Sequence, residues 1–163
     1  MPVAEQVPDS VSLTALSGDV ASLDDWLTTF QLAVVVIDPF TSESAWLLDT
    51  AGRLLTEFRE ADCRVAWVVT SDAADARTFL GPWADDLLTF CDPDRSFVAG
   101  VGLAHLPAFV HLRQDRVVVS VAEGWDPAEW DAAIGELTRM MSWSRVEVPP
   151  PGAPGPFAGS PAT

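Results

Sequence analysis

The sequence predicts an α/β domain built on a mixed β-sheet that helices cover on both faces. Residues 32–37 are a continuous apolar run of strand length, and the mainly apolar residues 64–70 predict a second strand; such runs are typical of strands buried on both faces of a sheet. Helix signals follow both runs, and a hairpin signal comes late in the chain. Parallel strands that are joined by helices and completed by an antiparallel pair make a mixed sheet.

The first half of the chain alternates helix and strand signals. Ser22 can cap a short helix ahead of the first apolar run, with two aspartates in the first turn. A long helix over residues 42–61 follows that run, because apolar side chains recur there at helical spacing. These side chains are Leu47, Ala51, Leu54 and Phe58. Ser71 or Asp72 caps a shorter helix after the second apolar run.

The second half of the chain predicts a short strand, a hairpin and a closing helix. The short strand covers residues 87–91, and residues 108–112 and 117–121 form the hairpin because a polar loop separates them. Asp126 then predicts an N-cap with a proline at the first helical position. The apolar face of the closing helix consists of Trp130, Ile134, Leu137 and Met141. We expect Trp46, Trp67 and Trp130 to pack in the core.

The composition limits the classes of partner. The chain has 163 residues, of which 48% are hydrophobic, and its formal net charge is −15. An acidic surface repels phosphate, so we expect neither nucleic acid nor a membrane as a partner. No apolar run is long enough to span a bilayer, and no basic region precedes an apolar stretch at the N-terminus. We therefore expect a cytoplasmic protein with its two cysteines reduced.

Three segments divide the chain by composition. Residues 1–10 are polar and contain two prolines, so they predict a flexible N-terminal arm. Residues 11–143 carry all the helix and strand signals and form the domain. Residues 144–163 are rich in proline and glycine, which predicts a disordered tail without packed structure. The tail is either a ligand for an aromatic groove on another protein or a spacer.

No metal, cofactor or catalytic group stands out in the sequence. The two histidines, His105 and His111, have no cysteine or acid at ligand spacing, so we expect no metal and no cofactor. Cys63 precedes a predicted strand and Cys91 ends another, which favours small core residues over nucleophiles. A single-thiol enzyme that uses either cysteine on a peroxide or a low-molecular-weight thiol is the alternative.

Three local features resemble thioredoxin-like proteins, especially their TlpA-like and peroxiredoxin-like branches. In residues 34–48 an apolar strand runs directly into a loop and a long helix. Residues 102–109 are similar to the segment in which a cis-proline, here Pro107, opens a strand. Residues 121–125 are similar to the glycine-containing loop after the hairpin. The resemblance covers residues 11–141 and implies a thioredoxin-like fold with a cis peptide bond before Pro107.

The residues that would carry dithiol chemistry in that family are absent. The family has C-x-x-C at the start of the long helix, where the dipole and free N–H groups stabilise a thiolate. The matching positions here are Thr41, Ser42, Glu43 and Ser44. Val35 stands where thioredoxins place a buried acid. The peroxiredoxin pattern P-x-x-x-T-x-x-C also fails, since Thr41 lies only two residues after Pro39 and Ser44 takes the cysteine position.

The four positions are therefore vestigial, and they form either a remnant binding loop or an ordinary helix cap. The features that remain around them predict a binding surface. Its residues would be Phe40, Leu106, Pro107, Glu123, Gly124 and Trp125. An exposed apolar patch of this kind usually marks a contact with another protein or with a second copy of the chain. Alternatively, Trp125 folds inward as a hydrophobic staple for the closing helix, and Pro107 persists only as architecture.

Three functions follow from these observations. The first is a redox-inactive thioredoxin-like domain that acts as a protein- or ligand-binding module. The second is the single-thiol enzyme described above. The third is a structural subunit that joins a larger assembly through its tail. The first is favoured because the redox groups are missing while the fold signals remain.

Overall fold

The structure is a computed structural model that describes residues 3–163. Its strands are β1 (Ser12–Ala15), β2 (Val20–Ser22), β3 (Gln31–Ile37), β4 (Cys63–Val69), β5 (Leu88–Cys91), β6 (His105–Leu106), β7 (Ala108–Leu112), β8 (Val118–Glu123) and β9 (Ser160–Pro161). Its helices are α1 (Leu23–Trp26), α2 (Ser42–Thr56), α3 (Ala73–Leu80), α4 (Trp83–Asp86), α5 (Ser96–Val101) and α6 (Pro127–Met140).

Seven strands form one mixed sheet in the order β2-β1-β5-β4-β3-β7-β8. β3, β4 and β5 are parallel, whereas β1, β2, β7 and β8 join antiparallel neighbours. The predicted mixed sheet is therefore confirmed. β6 and β9 pair separately as a two-stranded antiparallel sheet.

Both faces of the sheet are buried, as the apolar runs predict. In β3, Ala33, Val35 and Ile37 join one core cluster, whereas alternate residues join a second cluster on the opposite face. The first cluster contains the apolar sides of α2, α3 and α6, and the second contains those of α1 and α5. Because side chains alternate across a strand, each core-facing position of β3 serves one of the two helix layers.

The helix starts follow the sequence signals. Ser22, Asp72 and Asp126 cap α1, α3 and α6, and each side chain accepts a backbone N–H of its own first turn. α2 ends at Thr56, five residues before the predicted end, because the chain tightens there into three-residue hydrogen bonds, including Phe58 N–H to Leu55 C=O at 3.1 Å.

The two terminal segments differ from their predicted flexibility. In the N-terminal arm, whose first two residues lie outside the described range, Val7 is fully buried and donates its N–H to Arg116 C=O at 2.9 Å. The C-terminal tail packs along the domain, contributes β9 and buries Ala162. The prediction of a disordered tail is wrong because a few apolar residues and a short strand fix a segment whose composition alone indicates disorder.

The structure also tests the predicted cis peptide bond and the predicted burial of three tryptophans. The peptide bond between Leu106 and Pro107 is cis, as predicted. Trp67 and Trp130 are fully buried, but Trp46 is 58% exposed, so its predicted core position is wrong. Trp46 lies on the outer side of α2, where its neighbour is the tail instead of the sheet. Among the described residues no helix is long and apolar enough to cross a membrane.

Candidate functional site

The loop between β3 and α2 is held by the hydroxyls of Thr41 and Ser44, at the positions that the sequence resemblance aligns with paired cysteines. Thr41 is the N-cap residue of α2, but its side chain does not cap the helix; it donates to Asp38 C=O at 3.0 Å. Ser44 is fully buried, and its hydroxyl oxygen accepts the Asp38 N–H at 3.0 Å. Both hydroxyls thus fix the backbone of Asp38. Thr41 is thus the N-cap residue, as the helix-cap alternative predicts, although its side chain accepts no N–H of the first turn.

Asp38 and Arg95 form a partly buried ion pair behind this loop. One carboxylate oxygen of Asp38 accepts the Phe40 N–H at 2.9 Å, and the other accepts a guanidinium N–H of Arg95 at 2.9 Å. Arg95 also donates to the Ala162 carbonyl, so it links the loop to the tail. The sequence gives no sign of this pair, because the two residues lie 57 positions apart and belong to no motif.

The strand before Pro107 is fixed by the loop after the hairpin. A carboxylate oxygen of Glu123 accepts the backbone N–H groups of Ala104 and His105, the latter at 3.2 Å. The Gly124 N–H donates to Pro107 C=O at 2.8 Å. Glu123 and Gly124, both predicted to line a binding surface, therefore position the backbone of that surface.

The outer edge of this strand is paired with the tail. In the antiparallel β6–β9 pair, Ser160 lies opposite Leu106 and Pro161 lies opposite His105. The Ala162 N–H donates to Ala104 C=O at 2.9 Å, which extends the pairing by one residue. The backbone edge beside the cis peptide bond is thus occupied by a segment of the same chain.

Trp125 lies beneath the tail instead of on the surface. It exchanges two backbone hydrogen bonds with Phe157, at 2.8 and 3.0 Å, and its indole N–H donates to Pro154 C=O at 2.8 Å. The indole also packs edge-on against Trp130, with ring centroids 5.2 Å apart. Trp125 precedes the N-cap of α6 and Trp130 is the fourth helical residue, so the hydrophobic staple alternative is confirmed.

The predicted exposed patch is therefore largely wrong. Leu106 and Trp125 are fully buried, and of the predicted apolar members only Phe40 is strongly exposed, at 70%. The tail covers Leu106 by strand pairing and Trp125 by the contacts with Phe157 and Pro154. The sequence did not reveal this cover because the covering residues lie 29 or more positions away, in a segment whose composition predicts disorder.

Two glycines allow the tail to approach this closely. Gly124 and Gly159 both have positive φ, +64° and +87°. A Cβ at Gly124 would lie 2.4 Å from Ala158 O, and a Cβ at Gly159 would lie 2.7 Å from Leu106 O. Neither distance is compatible with a side chain, so backbone meets backbone at both positions.

The start of α2 also contacts the tail. The Ser160 hydroxyl donates to the carboxylate of Glu43, and this hydrogen bond is the main cause that lowers the pKa of Glu43. One turn further along α2, Trp46 packs edge-on against Phe157, with ring centroids 5.5 Å apart. Among residues 41–44, Glu43 thus hydrogen-bonds to the tail, and Ser42 is exposed.

The two cysteines do not belong to this site and do not approach each other. Both are buried free thiols. Cys91 pairs with Val69 at the last residue of β4, whereas Cys63 is the first residue of β4. The length of β4 therefore separates the two cysteines by about 20 Å, since a strand rises about 3.3 Å per residue. Burial, assisted by Asp62, raises the pKa of Cys63 to about 11, and burial also raises the pKa of Cys91. Within residues 3–163 no three potential ligands cluster around a metal position.

No protein-family model matches the sequence, and no curated protein matches it. Solved structures do resemble it. A thiol:disulfide interchange protein DsbE of Chlorobium tepidum superposes with a TM-score of 0.69 at 16% identity, covering 86% of this chain and 99% of its own. The peroxidoxin BcpB of Mycobacterium tuberculosis gives a TM-score of 0.67 at 18% identity, covering 86% of this chain and 98% of its own. The chain has a thioredoxin-like fold.

A third structure makes the same point. The bacterioferritin comigratory protein of Xanthomonas campestris gives a TM-score of 0.66 at 16% identity and covers 86% of this chain and 99% of its own. Within the thioredoxin-like fold, β3 leads into α2 as in the predicted frame, and the cis bond before Pro107 follows the strand that the tail covers. The sheet therefore brings together the segments that the sequence resemblance singled out.

Proposed function

We propose that this protein is a redox-inactive thioredoxin-like domain that binds an extended polypeptide segment along the β6 edge beside Pro107. The observation that carries the proposal is the state of Thr41 and Ser44. Their hydroxyls occupy the positions where the resembling family holds sulfur, and both are engaged with the backbone of Asp38. Neither hydroxyl has an accessible redox couple, so this site has no group that exchanges disulfides.

The binding half of the proposal is supported by the geometry of β6. An unpaired strand edge presents backbone N–H and C=O groups to any extended segment, which is how strand addition works. In β6 this edge is held rigidly by Glu123 and Gly124, and it already pairs with an extended segment of the chain. Backbone pairing of this kind places few demands on the side chains of a ligand, so the flanking contacts determine its selectivity.

A single-thiol enzyme is the second candidate, since the structural neighbours include disulfide and peroxide enzymes. A reactive cysteine needs exposure and a lowered thiol pKa. Cys63 and Cys91 have neither, because both are buried and burial raises the pKa of both thiols. A structural subunit that docks through its tail is the third, and it requires the tail to leave the surface on which it packs. A cytoplasmic location stays part of the proposal.

Turnover assays test the claim that the protein is redox-inactive. With dithiothreitol as reductant, we expect the purified protein to reduce neither insulin disulfides nor hydrogen peroxide above the buffer rate. A Cys63→Ala/Cys91→Ala double variant is the matched control. Turnover by the wild-type protein that this variant loses would overturn the proposal in favour of the single-thiol enzyme.

A further inference from the structure

The β6 edge is not free, because residues 157–162 occupy it in the same chain. We propose that this segment is an internal ligand, and that an extended segment of a partner protein with the same side-chain pattern displaces it. The pattern is aromatic, small, glycine, hydroxyl, any residue, small. This inference rests on the proposed function and adds to it the class of ligand and the way in which the site is kept covered.

The aromatic position is defined by two tryptophans. Phe157 is fixed by the pair of backbone hydrogen bonds with Trp125. These bonds set the register of the tail along the groove, by which we mean the surface formed by the β6 edge, Trp125 and Trp46. The Phe157 ring then meets the edge of Trp46, a residue that is otherwise exposed on α2. Aromatic pairs in this arrangement are more favourable than burial of the same apolar area alone. An aliphatic residue would lose this contact.

The glycine position is defined by steric exclusion. At Gly159 a Cβ would lie 2.7 Å from Leu106 O and 3.1 Å from Gly124 Cα. The atoms that it would meet belong to the backbone, which cannot move aside as a flexible side chain can. The φ of +87° at this position adds a second reason to require glycine. Any other residue in the ligand is therefore rejected.

The last three positions combine a polar contact, a free position and a buried small residue. The Ser160 hydroxyl binds Glu43, and an acidic side chain there would be repelled. Because the Ala162 N–H points toward β6, the nitrogen of Pro161 points away, so proline costs no hydrogen bond. Ala162 is only 1% exposed, so the site has no room for a long side chain. The Ala162 carbonyl accepts a hydrogen bond from Arg95.

The connection between the domain and this segment is mostly exposed to solvent. Pro151, Gly152, Gly155 and Pro156 are exposed. A cavity of about 460 Å³ is lined by Gly152 and Pro154 on one side and by Trp46, Arg53 and Trp83 on the other. β9 belongs to the two-stranded pair and not to the seven-stranded sheet, so its departure leaves the central sheet intact. The tether nevertheless keeps the segment at an effective concentration on the order of millimolar, which a partner must overcome.

Peptide binding to variants of the full chain tests this inference. The probe is a fluorescein-labelled peptide with the sequence of residues 154–163, followed by anisotropy. Gly159→Val should unseat the tail and leave the groove accessible, so its apparent Kd for the probe should be at least about tenfold lower than that of the wild type. Gly155→Val is the matched control, because a Cβ there meets nothing within 4 Å, and it should behave as the wild type.

A second experiment avoids substitutions next to the groove. A protease recognition sequence inserted between the exposed residues Pro151 and Gly152 is cleaved after folding, and dilution then releases the tail. The cleaved protein should bind the probe as Gly159→Val does, and a probe with valine at the glycine position should not bind. Circular dichroism and thermal unfolding establish that each protein is folded.

Three results would overturn the inference. One is equal affinity of the wild type and Gly159→Val for the probe. Another is no binding to either the folded variant or the cleaved protein. The third is a wild-type dimer in light scattering that dissociates on tail cleavage, since the groove would then hold a second copy's tail. Selection of displayed random peptides on the cleaved protein separates the two proposals: unrelated binders retain the proposed function and discard the pattern, and an absence of binders discards both.

Discussion

At the scale of single residues, Ser44 has a structural role that a thiol would fill poorly. Its hydroxyl oxygen is a good acceptor for the Asp38 N–H, whereas cysteine sulfur is a weak one. The donor is a backbone group of a residue that is only 6% exposed, so it has no ready replacement in water. The Ser44 hydroxyl therefore holds the loop between β3 and α2 through the backbone of Asp38.

Ser44→Ala should therefore destabilise the protein. The substitution leaves the Asp38 N–H without its partner, and an unpaired buried donor costs about 1–3 kcal/mol. The measurement is the free energy of unfolding in urea. Ser42→Ala, two residues earlier and exposed, should change that energy by less than about 0.5 kcal/mol. Equal effects of the two substitutions would contradict this role for Ser44.

His111 provides a pH-dependent contribution to stability. It is fully buried, its Nε2 lies 2.7 Å from the Gln31 side-chain oxygen, and burial lowers its pKa to about 4 against a weaker opposing effect of Glu136. The unfolded chain takes up a proton near pH 6.5 and the folded chain only near pH 4. Stability from this group is therefore present above pH 6.5 and is lost as the pH falls toward 4, by on the order of 3 kcal/mol.

His111→Gln should flatten this part of the stability curve. The expected result is a smaller difference in the free energy of unfolding between pH 6.5 and pH 4 than in the wild type. His105→Gln, the same substitution at an exposed histidine, serves as the matched control. A variant curve that runs parallel to the wild-type curve would show that His111 does not contribute in this way.

At the scale of elements, two helical glycines have opposite surroundings. Gly135 in α6 is exposed and a Cβ there meets nothing within 4 Å, whereas a Cβ at Gly52 in α2 would lie 2.6 Å from the indole of Trp83. Gly135→Ala should stabilise the protein by about 0.5–1 kcal/mol, because alanine favours the helix. Gly52→Ala should destabilise it by about 1–3 kcal/mol through overpacking. The measurement is the thermal unfolding midpoint, which should rise for Gly135→Ala and fall for Gly52→Ala.

The elements differ in how far their sequences revealed them. β3 and α6 carry strong local signals, a buried apolar run and the Asp126 cap, so both were predicted within a few residues. β1 and β2 were missed because they are strands of four and three residues at one side of the sheet, without a long apolar run. β6 and β9 have two residues each, and their pairing depends on residues about 55 positions apart along the chain. No local pattern encodes such a contact.

At the scale of the whole molecule, the excess of acidic groups opposes compactness. The chain has 24 acidic and 9 basic residues, all arginine, and only four ion pairs occur among the described residues. Screening by salt weakens the repulsion among the remaining carboxylates. We expect the urea midpoint to rise when sodium chloride is increased from about 10 to 300 mM, with most of the effect at the low end. A midpoint that falls over this range would contradict the expectation.

The candidate site, like the fold, could be predicted from the sequence only in part. The sequence resemblance located residues 41–44 and Pro107, because these segments carry their own motifs. The burial of Leu106 was not predicted and that of Trp125 was predicted only as an alternative, since the proline and glycine content of the tail describes only its local preferences. Its order comes from Gly124 after β8, Trp46 in α2 and Arg95 before α5. The amino-acid composition of the tail carries no information about these long-range contacts.

The hydrogen bond between the Trp125 indole and Pro154 has a spectroscopic consequence. When the tail leaves, this indole exchanges a carbonyl partner in a buried setting for water, and tryptophan emission moves to longer wavelength in water. Release of the tail by an unlabelled partner should therefore produce a red shift in intrinsic fluorescence. Trp125→Phe should remove most of that shift while the other six tryptophans remain. The molecule thus carries its own optical reporter of whether the β6 edge is open.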